Sequence, residues 1–200
     1  MNKEFIPYDE VRDNALKLGR EIARSGFIPD VIYVSLRGGA YLGNILSEYF
    51  KVLRKGQRPV FYAAVVAHSY QDVQQQTTVR VDGWTYAPEY LRSGDKVLFV
   101  DDIFDTGRTI NALVNIILER GLPRQDIKIA VHDYKDFKDS PPLPIIPDFF
   151  CRKHILQDRA HDLWIHYLSH ELVGLSPQER QTHYIKDNPD MAEVMSVFDL

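Results

Sequence analysis

The sequence predicts an α/β protein built on an open, mainly parallel, twisted sheet with helices on its faces. Short apolar runs alternate along the chain with segments whose apolar residues recur every three or four positions, a pattern typical of strand–helix–strand units. Two glycine-containing turns, at 36–39 and 105–109, each follow an apolar run and precede a helical pattern. Because ligands of such sheets bind at the carboxyl ends of the strands, both turns are candidates for a binding site.

The first half of the chain predicts two helices and two strands. A helix over 8–25 follows from the spacing of its apolar positions and ends at Gly26. A strand at 31–34, a helix at 40–53 and a strand at 59–66 are expected next. The polar segment 68–80 predicts a mobile arm or a hairpin of uncertain register, with 77–81 compatible with a strand.

The second half predicts a strand at 97–100, a helix at 109–120, a strand at 127–131 and a proline-rich loop at 138–147. The aromatic-rich segment 149–175 has no clear periodicity. Ser-Pro-Gln-Glu at 176–179 is a helix-start signal, so the tail 176–200 is expected to be helical and to pack on the domain or on another subunit. We therefore expect one domain over 1–175, followed by a separate tail.

Composition limits the possible partners. A length of 200 residues fits one domain, and a formal net charge of −4 does not favour a nucleic-acid-binding protein, which usually presents a basic face. The single cysteine, Cys151, excludes an intrachain disulfide and suggests a reducing compartment. Neither a signal peptide nor an apolar run of membrane-spanning length is evident, so we expect a cytoplasmic protein that binds neither membranes nor nucleic acid.

The stretch 97–109 is the most informative part of the sequence. Four apolar residues lead into Asp101 and Asp102, and a third carboxylate, Asp105, opens a turn toward the next helix. That turn contains Thr106, Gly107, Arg108 and Thr109. The backbone N–H groups at a helix N-terminus bind anions. A loop that carries both carboxylates and such an anion site suits a ligand with hydroxyl groups and a phosphate, and a sugar phosphate has both.

These thirteen residues resemble the phosphoribosyl-pyrophosphate signature of the type I phosphoribosyltransferases. The resemblance implies that family's fold, with a core over about 27–135 and a small base-binding hood formed by the N-terminal residues and 136–175. It also implies that Asp101 and Asp102 bind the ribose hydroxyls and that 105–109 holds the 5′-phosphate. In purine enzymes of the family, the residue at the place of Asp105 is proposed as the proton partner of purine N7.

Two further segments agree with this resemblance. Leu36, Arg37, Gly38 and Gly39 are similar to the family's pyrophosphate loop, in which a basic residue precedes two glycines and the peptide corresponding to Leu36–Arg37 is often cis. Glycines let the backbone approach a diphosphate closely. Ser69 and Tyr70 resemble the start of the flexible loop that closes over the site and excludes water during catalysis.

The base site rests on residues near the end of the domain. Lys135, expected after a short turn that follows the strand 127–131, resembles the lysine that contacts purine O6. Trp164 resembles the aromatic residue that stacks on the purine, and the backbone of Ile165 would read the ring edge. Glu171, seven residues after Trp164, stands where several relatives carry an aspartate on the metal or purine side.

The resemblance implies transfer of a phosphoribosyl group to a 6-oxopurine (hypoxanthine, guanine or xanthine) in purine salvage. Mg²⁺ would chelate the diphosphate and the ribose hydroxyls, with Asp101, Asp102 and Glu171 as protein ligands. A homodimer or homotetramer is expected. Two alternatives remain: transfer to another base, such as adenine or a pyrimidine, and a non-enzymatic regulator that binds phosphoribosyl pyrophosphate.

The histidines near the chain end do not form a zinc-protease motif. His170-Glu171 would need a second histidine three residues further on, where Gly174 stands. We expect His161, His166 and His170 to be surface, interface or base-site residues.

Overall fold

A computed structural model of the chain describes residues 2–71, 77–141 and 143–199. Its helices are α1 (Tyr8–Arg24), α2 (Gly39–Leu53), α3 (Arg108–Glu119), α4 (Pro177–Arg180) and α5 (Met191–Met195). Its strands are β1 (Asn2–Ile6), β2 (Val31–Leu36), β3 (Phe61–Gln71), β4 (Thr77–Trp84), β5 (Val97–Phe104), β6 (Ile127–Phe137), β7 (Phe149–Leu156) and β8 (Leu163–Tyr167).

The main sheet contains six strands in the order β4-β3-β2-β5-β6-β7, and every neighbouring pair except β3–β4 is parallel. Successive residues of β2 enter two cores. Val31 and Tyr33 pack on the α3 side, whereas Ile32 and Val34 pack on the side of α1 and α2. Burial on both faces explains the continuous apolar runs of the central strands. The predicted α/β class with a mainly parallel sheet is confirmed.

Two central strands extend further than their apolar runs. β5 continues through Phe104, where Ile103 pairs with Asp133 and Phe104 with Tyr134 of β6. The strand β6 in turn continues to Phe137. The expectation that Lys135 follows a turn is therefore wrong, because the ladder to the neighbouring strands keeps it inside β6.

The segment 149–175, which the sequence left unassigned, divides between two sheets. β7 pairs with β6 at the edge of the main sheet, and β8 pairs with β1 in a separate two-stranded parallel sheet. In this small sheet Ile6 pairs with Tyr167, and both side chains are buried in a third core with Val11 and Ile165. Of the described segments expected to form a hood, only β1 and β8 form this small sheet, and we use the name hood for these two strands alone.

The tail folds back on the hood. A capping box links Ser176 and Glu179 at the start of α4, and a π-helical turn follows at Gln181–Ile185. Lys3 of β1 lies 2.8 Å from the Glu179 carboxylate, and the rings of Phe5 and His183 stack at 4.2 Å. A helical tail that packs on the domain is therefore observed. No helix within 2–71, 77–141 and 143–199 is long and apolar enough to cross a membrane.

Candidate active site

Asp101 and Asp102 lie within β5, directly after Val100, the last residue of β5 that pairs with β2. The N–H of Asp102 donates to Asp101 Oδ1 at 3.1 Å, and the N–H of Ile103 donates to Asp102 Oδ1 at 2.8 Å. Burial, and then the neighbouring Asp102 charge, raise the pKa of Asp101 well above its usual value.

The glycine turn after β2 packs directly against this part of β5. A Cβ atom on Gly38 would lie 2.2 Å from the Asp102 carboxylate, and one on Gly39 would lie 2.4 Å from the Val100 carbonyl oxygen. The peptide between Leu36 and Arg37 is cis, as the resemblance implies. Only glycines fit between this turn and β5, so the two predicted halves of the site are in contact.

The turn 105–109 leads into α3. Gly107 has φ +67°, a left-handed conformation that favours glycine, and stands immediately before Arg108, the first residue of the helix. Asn111 Nδ2 donates to the carbonyl oxygens of Gly107 at 2.9 Å and Ile145 at 2.8 Å, which fixes the turn from within the protein. Thr109 lies in the first helical turn, whose N–H groups suit an anion.

A cavity of about 720 Å³ extends from this turn toward β6. Among its lining residues are Asp105, Thr106, Arg108, Lys135, Phe137 and Arg159. Lys135 is buried, and its Nζ lies 2.6 Å from Asp162 Oδ1. Asp105 forms an ion pair with Arg159, whose guanidinium lies 3.7 Å from the centre of the Phe137 ring. This cavity therefore presents both a carboxylate and an ammonium group.

A second cavity, of about 520 Å³, lies beside the glycine turn. It is lined by Arg37, Gly38, Asp102, Trp164, His170, Glu171, Leu172 and Val173. Trp164 is 43% exposed there, whereas the Ile165 side chain is buried in the hood. The structure thus places Trp164 beside the glycine turn and Lys135 in the first cavity, so the two predicted base-site residues line different cavities.

Ser69 and Tyr70 lie on β3, opposite Val79 and Thr78 of β4. The predicted arm is therefore a hairpin whose strands pair antiparallel. The side chains of Ser69 and Tyr70, and the whole of 72–76, lie outside the described part of the chain.

Two carboxylates of the second cavity fit a divalent cation that arrives with a phosphate ligand. Asp102 and Glu171 both line this cavity, and Glu171 Oε2 accepts from the N–H of Tyr167 at 2.9 Å. The described residues contain no group of three or more His, Cys, Asp or Glu side chains arranged to hold a metal. Mg²⁺ commonly uses one or two carboxylates together with substrate phosphates and water, so these side chains suit it.

Three residues lie next to the site, of which sequence reasoning did not assign Arg159 and Tyr167 and left His170 among surface, interface or base-site residues. His170 Nε2 is 3.1 Å from Asp102 Oδ2, and Arg159 pairs with Asp105. The third is Tyr167, whose hydroxyl oxygen lies 3.0 Å from the Asp102 carbonyl oxygen. Each contact joins residues at least 54 positions apart in the chain, so no local pattern signals it.

A buried polar network lies under the site. The Tyr167 hydroxyl donates to Asp133 Oδ2 at 2.6 Å, the shorter of its two contacts, and His132 and His154 contact the same carboxylate at 2.7 and 2.6 Å. Burial alone would raise the pKa of Asp133, but the hydrogen bonds from His132, His154 and Tyr167 outweigh it and lower that pKa well below its usual value. The network joins the hood to the main sheet through an ionised carboxylate.

Comparison with known proteins covers the main sheet and the turns that follow β2 and β5. The family model "Phosphoribosyl transferase domain" matches residues 7–157. The chain is 31% identical over 152 residues to the bifunctional protein PyrR of Microcystis aeruginosa, covering 75% of this chain and 82% of that protein. It is 28% identical over 134 residues to the hypoxanthine-guanine phosphoribosyltransferase of Canis lupus familiaris, covering 65% and 60% of the two chains.

Two solved structures share the fold at 19% identity. A purine phosphoribosyltransferase from Pyrococcus horikoshii superposes with a TM-score of 0.64 and covers 88% of this chain and 99% of its own. A hypothetical protein from Neisseria gonorrhoeae with bound ppGpp also has a TM-score of 0.64 and covers 96% and 97%.

Proposed function

Because this chain belongs to the phosphoribosyl transferase domain family, we propose that it transfers a phosphoribosyl group to a 6-oxopurine. In this reaction the bond between C1′ of 5-phosphoribosyl 1-pyrophosphate and its diphosphate oxygen breaks. A bond from C1′ to a purine nitrogen forms, and the base loses a proton. The products are a purine nucleoside 5′-monophosphate and pyrophosphate. Hypoxanthine, guanine and xanthine are the acceptor bases that we propose.

The sugar-phosphate half of the site uses the ends of β2 and β5. Asp101 and Asp102 would accept hydrogen bonds from the ribose hydroxyls, and their charge would favour the positive charge that develops on the ribose ring. The turn 105–109, which includes Thr106 and Thr109, would hold the 5′-phosphate at the start of α3. Arg37 and the N–H groups of Gly38 and Gly39 would bind the diphosphate.

The observation that carries the choice of base is that Asp105 and Lys135 line one cavity. A 6-oxopurine presents an N–H at N7 and a carbonyl oxygen at C6 on the same edge. A carboxylate accepts from the first and an ammonium donates to the second. Asp105 would then take part in proton transfer at N7, while Lys135 binds O6. Trp164 would stack on the base from the side of the glycine turn, with the Ile165 backbone at the ring edge.

Mg²⁺ bound with the diphosphate supplies charge neutralisation of the leaving group. Asp101, Asp102 and Glu171 are the side chains that we propose to hold it. The protein forms no covalent bond to the substrates, so its own contribution is positioning, electrostatic stabilisation and exclusion of water. Ser69 and Tyr70 would contribute to that exclusion as part of a closing loop.

A second candidate has a specific basis. The Microcystis relative is named a bifunctional protein, so transfer to another base, or regulation by bound phosphoribosyl pyrophosphate, is the alternative to purine transfer. For the main candidate, we propose that the protein acts in purine salvage in the cytoplasm. We also propose that it forms a homodimer or a homotetramer. Sedimentation equilibrium tests the assembly.

An activity screen tests the proposed function. The protein is incubated with phosphoribosyl pyrophosphate, Mg²⁺ and one base at a time, and pyrophosphate release is followed. We expect release with hypoxanthine, guanine or xanthine and none with adenine or uracil. Release with adenine or uracil alone would make the base assignment wrong. Binding of phosphoribosyl pyrophosphate without release for any base would favour the regulator.

A further inference from the structure

The loop that follows β8 places a histidine in contact with Asp102. We call residues 168–175 the hood loop. His170 Nε2 lies 3.1 Å from Asp102 Oδ2, and its Nδ1 lies 3.0 Å from Ser169 Oγ. The His170 ring stacks on Tyr167 with 5.2 Å between centroids and 17° between planes. Both ring nitrogens and one ring face of His170 are therefore in contact with neighbours.

These contacts complete the restraint of the Asp102 carboxylate. Its Oδ1 already accepts from the N–H of Ile103 at 2.8 Å, and Gly38 lies against the carboxylate so closely that no Cβ fits between them. The other carboxylate oxygen, Oδ2, is contacted by His170 Nε2. A carboxylate with both oxygens held keeps one rotamer, which lowers the entropy lost when a ligand binds.

The surface on which His170 stacks is itself rigid. Tyr167 is buried, and its hydroxyl oxygen lies 2.6 Å from Asp133 Oδ2 and 3.0 Å from the Asp102 carbonyl oxygen, so two acceptors share its single proton. Tyr167 thus holds the backbone of Asp102, while His170 holds its side chain. Both residues reach Asp102 from the hood rather than from the main sheet.

The tail fixes the hood loop from its outer side. Lys3 Nζ donates to the Gly174 carbonyl oxygen at 2.5 Å and also bonds the Glu179 carboxylate of α4. The Tyr184 hydroxyl donates to the Leu168 carbonyl oxygen at 3.3 Å. One end of the loop is therefore tied to β1 and α4, and the other end to the π-helical turn. These tail residues lie beyond the segment 7–157 that the family model matches.

We infer that His170 is a positioning residue for Asp102 and that the C-terminal tail holds the loop that carries it. This inference rests on the proposed function to the extent that Asp102 binds the ribose of phosphoribosyl pyrophosphate. It predicts an effect on the sugar-phosphate half of the site alone. Affinity for phosphoribosyl pyrophosphate should depend on His170, whereas the KM of the base should not.

The first test measures binding of phosphoribosyl pyrophosphate with Mg²⁺ to the full chain by titration calorimetry. His170→Phe keeps a ring on Tyr167 and removes the contact to Asp102 Oδ2, and we expect its Kd to rise about tenfold, the size of one lost hydrogen bond to a charged group. His170→Gln retains a donor at a similar reach and should stay within about threefold of the wild type.

The second test addresses the tail. Tyr184→Phe removes the hydroxyl that bonds Leu168, and we expect a two- to threefold higher Kd, about the effect of a weak neutral hydrogen bond. Ser196→Ala is the matched control, because the Ser196 hydroxyl bonds only the Glu193 carbonyl oxygen within the tail among the contacts described. Its Kd should equal that of the wild type.

Specific outcomes would overturn the inference. An unchanged Kd for His170→Phe would do so, as would an equal loss of affinity for sugar phosphate and base accompanied by a lower thermal midpoint, which indicates general unfolding. If the wild type binds phosphoribosyl pyrophosphate but accepts no base, the proposed function fails while this inference is still decided by the Kd values. A wild type that does not bind phosphoribosyl pyrophosphate overturns both.

Discussion

The carboxylate of Asp105 and the guanidinium of Arg159 form an ion pair at the cavity that also contains Lys135. The side chains are 42% exposed for Arg159 and 40% exposed for Asp105, and the guanidinium carbon lies 3.7 Å from the centre of the Phe137 ring. The residue that we propose to accept the base proton therefore already has a cationic partner. A base must displace or share that partner.

Replacing Arg159 should make the base bind more tightly. An exposed ion pair contributes about 0.2–1 kcal/mol, so Arg159→Gln should lower the KM of hypoxanthine or guanine by a factor of about 1.5–5 at saturating phosphoribosyl pyrophosphate. Arg120→Gln, which removes an exposed pair with Glu89, is the control and should have no effect. A tenfold rise in KM for Arg159→Gln would instead show that Arg159 binds the base directly.

Replacing Asp105 should impair catalysis more than binding. Asp105→Asn keeps the size of the side chain but removes the proton acceptor, and general acid–base groups contribute about 10²–10⁴ in rate. We expect kcat with a 6-oxopurine to fall about a hundredfold, while the Kd of phosphoribosyl pyrophosphate changes less than threefold. Asp126→Asn, in the turn before β6 at the other end of the sheet, is the control. An unchanged kcat contradicts the role of Asp105.

A methyl group on Gly38 should disturb the acidic pair without straining the backbone. Gly38 has φ −56° and ψ −45°, which alanine also adopts, but its Cβ would lie 2.2 Å from Asp102 Oδ1. Gly38→Ala should weaken binding of phosphoribosyl pyrophosphate at least tenfold and cost about 1–3 kcal/mol of stability from the steric conflict.

Gly83→Ala is the control for that substitution. Nothing lies within 4 Å of a Cβ at Gly83, so its binding should equal that of the wild type. Calorimetric titration and denaturant unfolding measure both quantities. Wild-type affinity in Gly38→Ala would mean that the Asp102 carboxylate position does not matter for this ligand.

The buried Asp133 should stabilise the junction of hood and sheet. Asp133→Asn removes the negative charge that receives hydrogen bonds from His132, His154 and Tyr167, and we expect the free energy of unfolding at pH 7 to fall by about 2–3 kcal/mol. Asp139→Asn, at an exposed position, should change it by less than about 0.5 kcal/mol. Urea denaturation measures both values.

The Asp133 effect should also depend on pH in one direction. Folding lowers the pKa of Asp133, so ionised Asp133 stabilises the folded protein. This stabilisation is fully present at pH values above the unfolded-state pKa of about 4, and it is lost as the pH falls below that pKa. The difference in unfolding free energy between the wild type and Asp133→Asn should therefore shrink from pH 6 to pH 3. A difference that grows over this range contradicts the assigned pKa direction.

Local sequence signals predicted the fold class and the family, and they singled out residues for a candidate site. The apolar runs of β2, β5 and β6 are buried on both faces, which makes them recognisable as central strands of a parallel sheet. Close backbone approach requires glycine at 38 and 39, and the left-handed turn favours glycine at 107. The carboxylates at 101 and 102 are recognisable because they directly follow an apolar run.

Other features depend on neighbours that the local sequence does not contain. β6 extends past Lys135 because β5 and β7 continue its ladder, and β7 and β8 separate because one pairs with β6 and the other with β1. Ladder hydrogen bonds override weak local preference where a partner strand is present. The chain order alone therefore predicted neither the length of β6 nor the division of 149–167.

The sequence by itself determined the α/β architecture and the chemistry of the strand ends, because periodicity and residue type act over a few positions. Only the tertiary structure decided which groups face each other. It placed Lys135 and Trp164 in different cavities, paired Asp105 with Arg159, and brought His170 onto Asp102. Such contacts are made across tens of residues of chain, and they exist only once the hood and the tail have packed on the sheet.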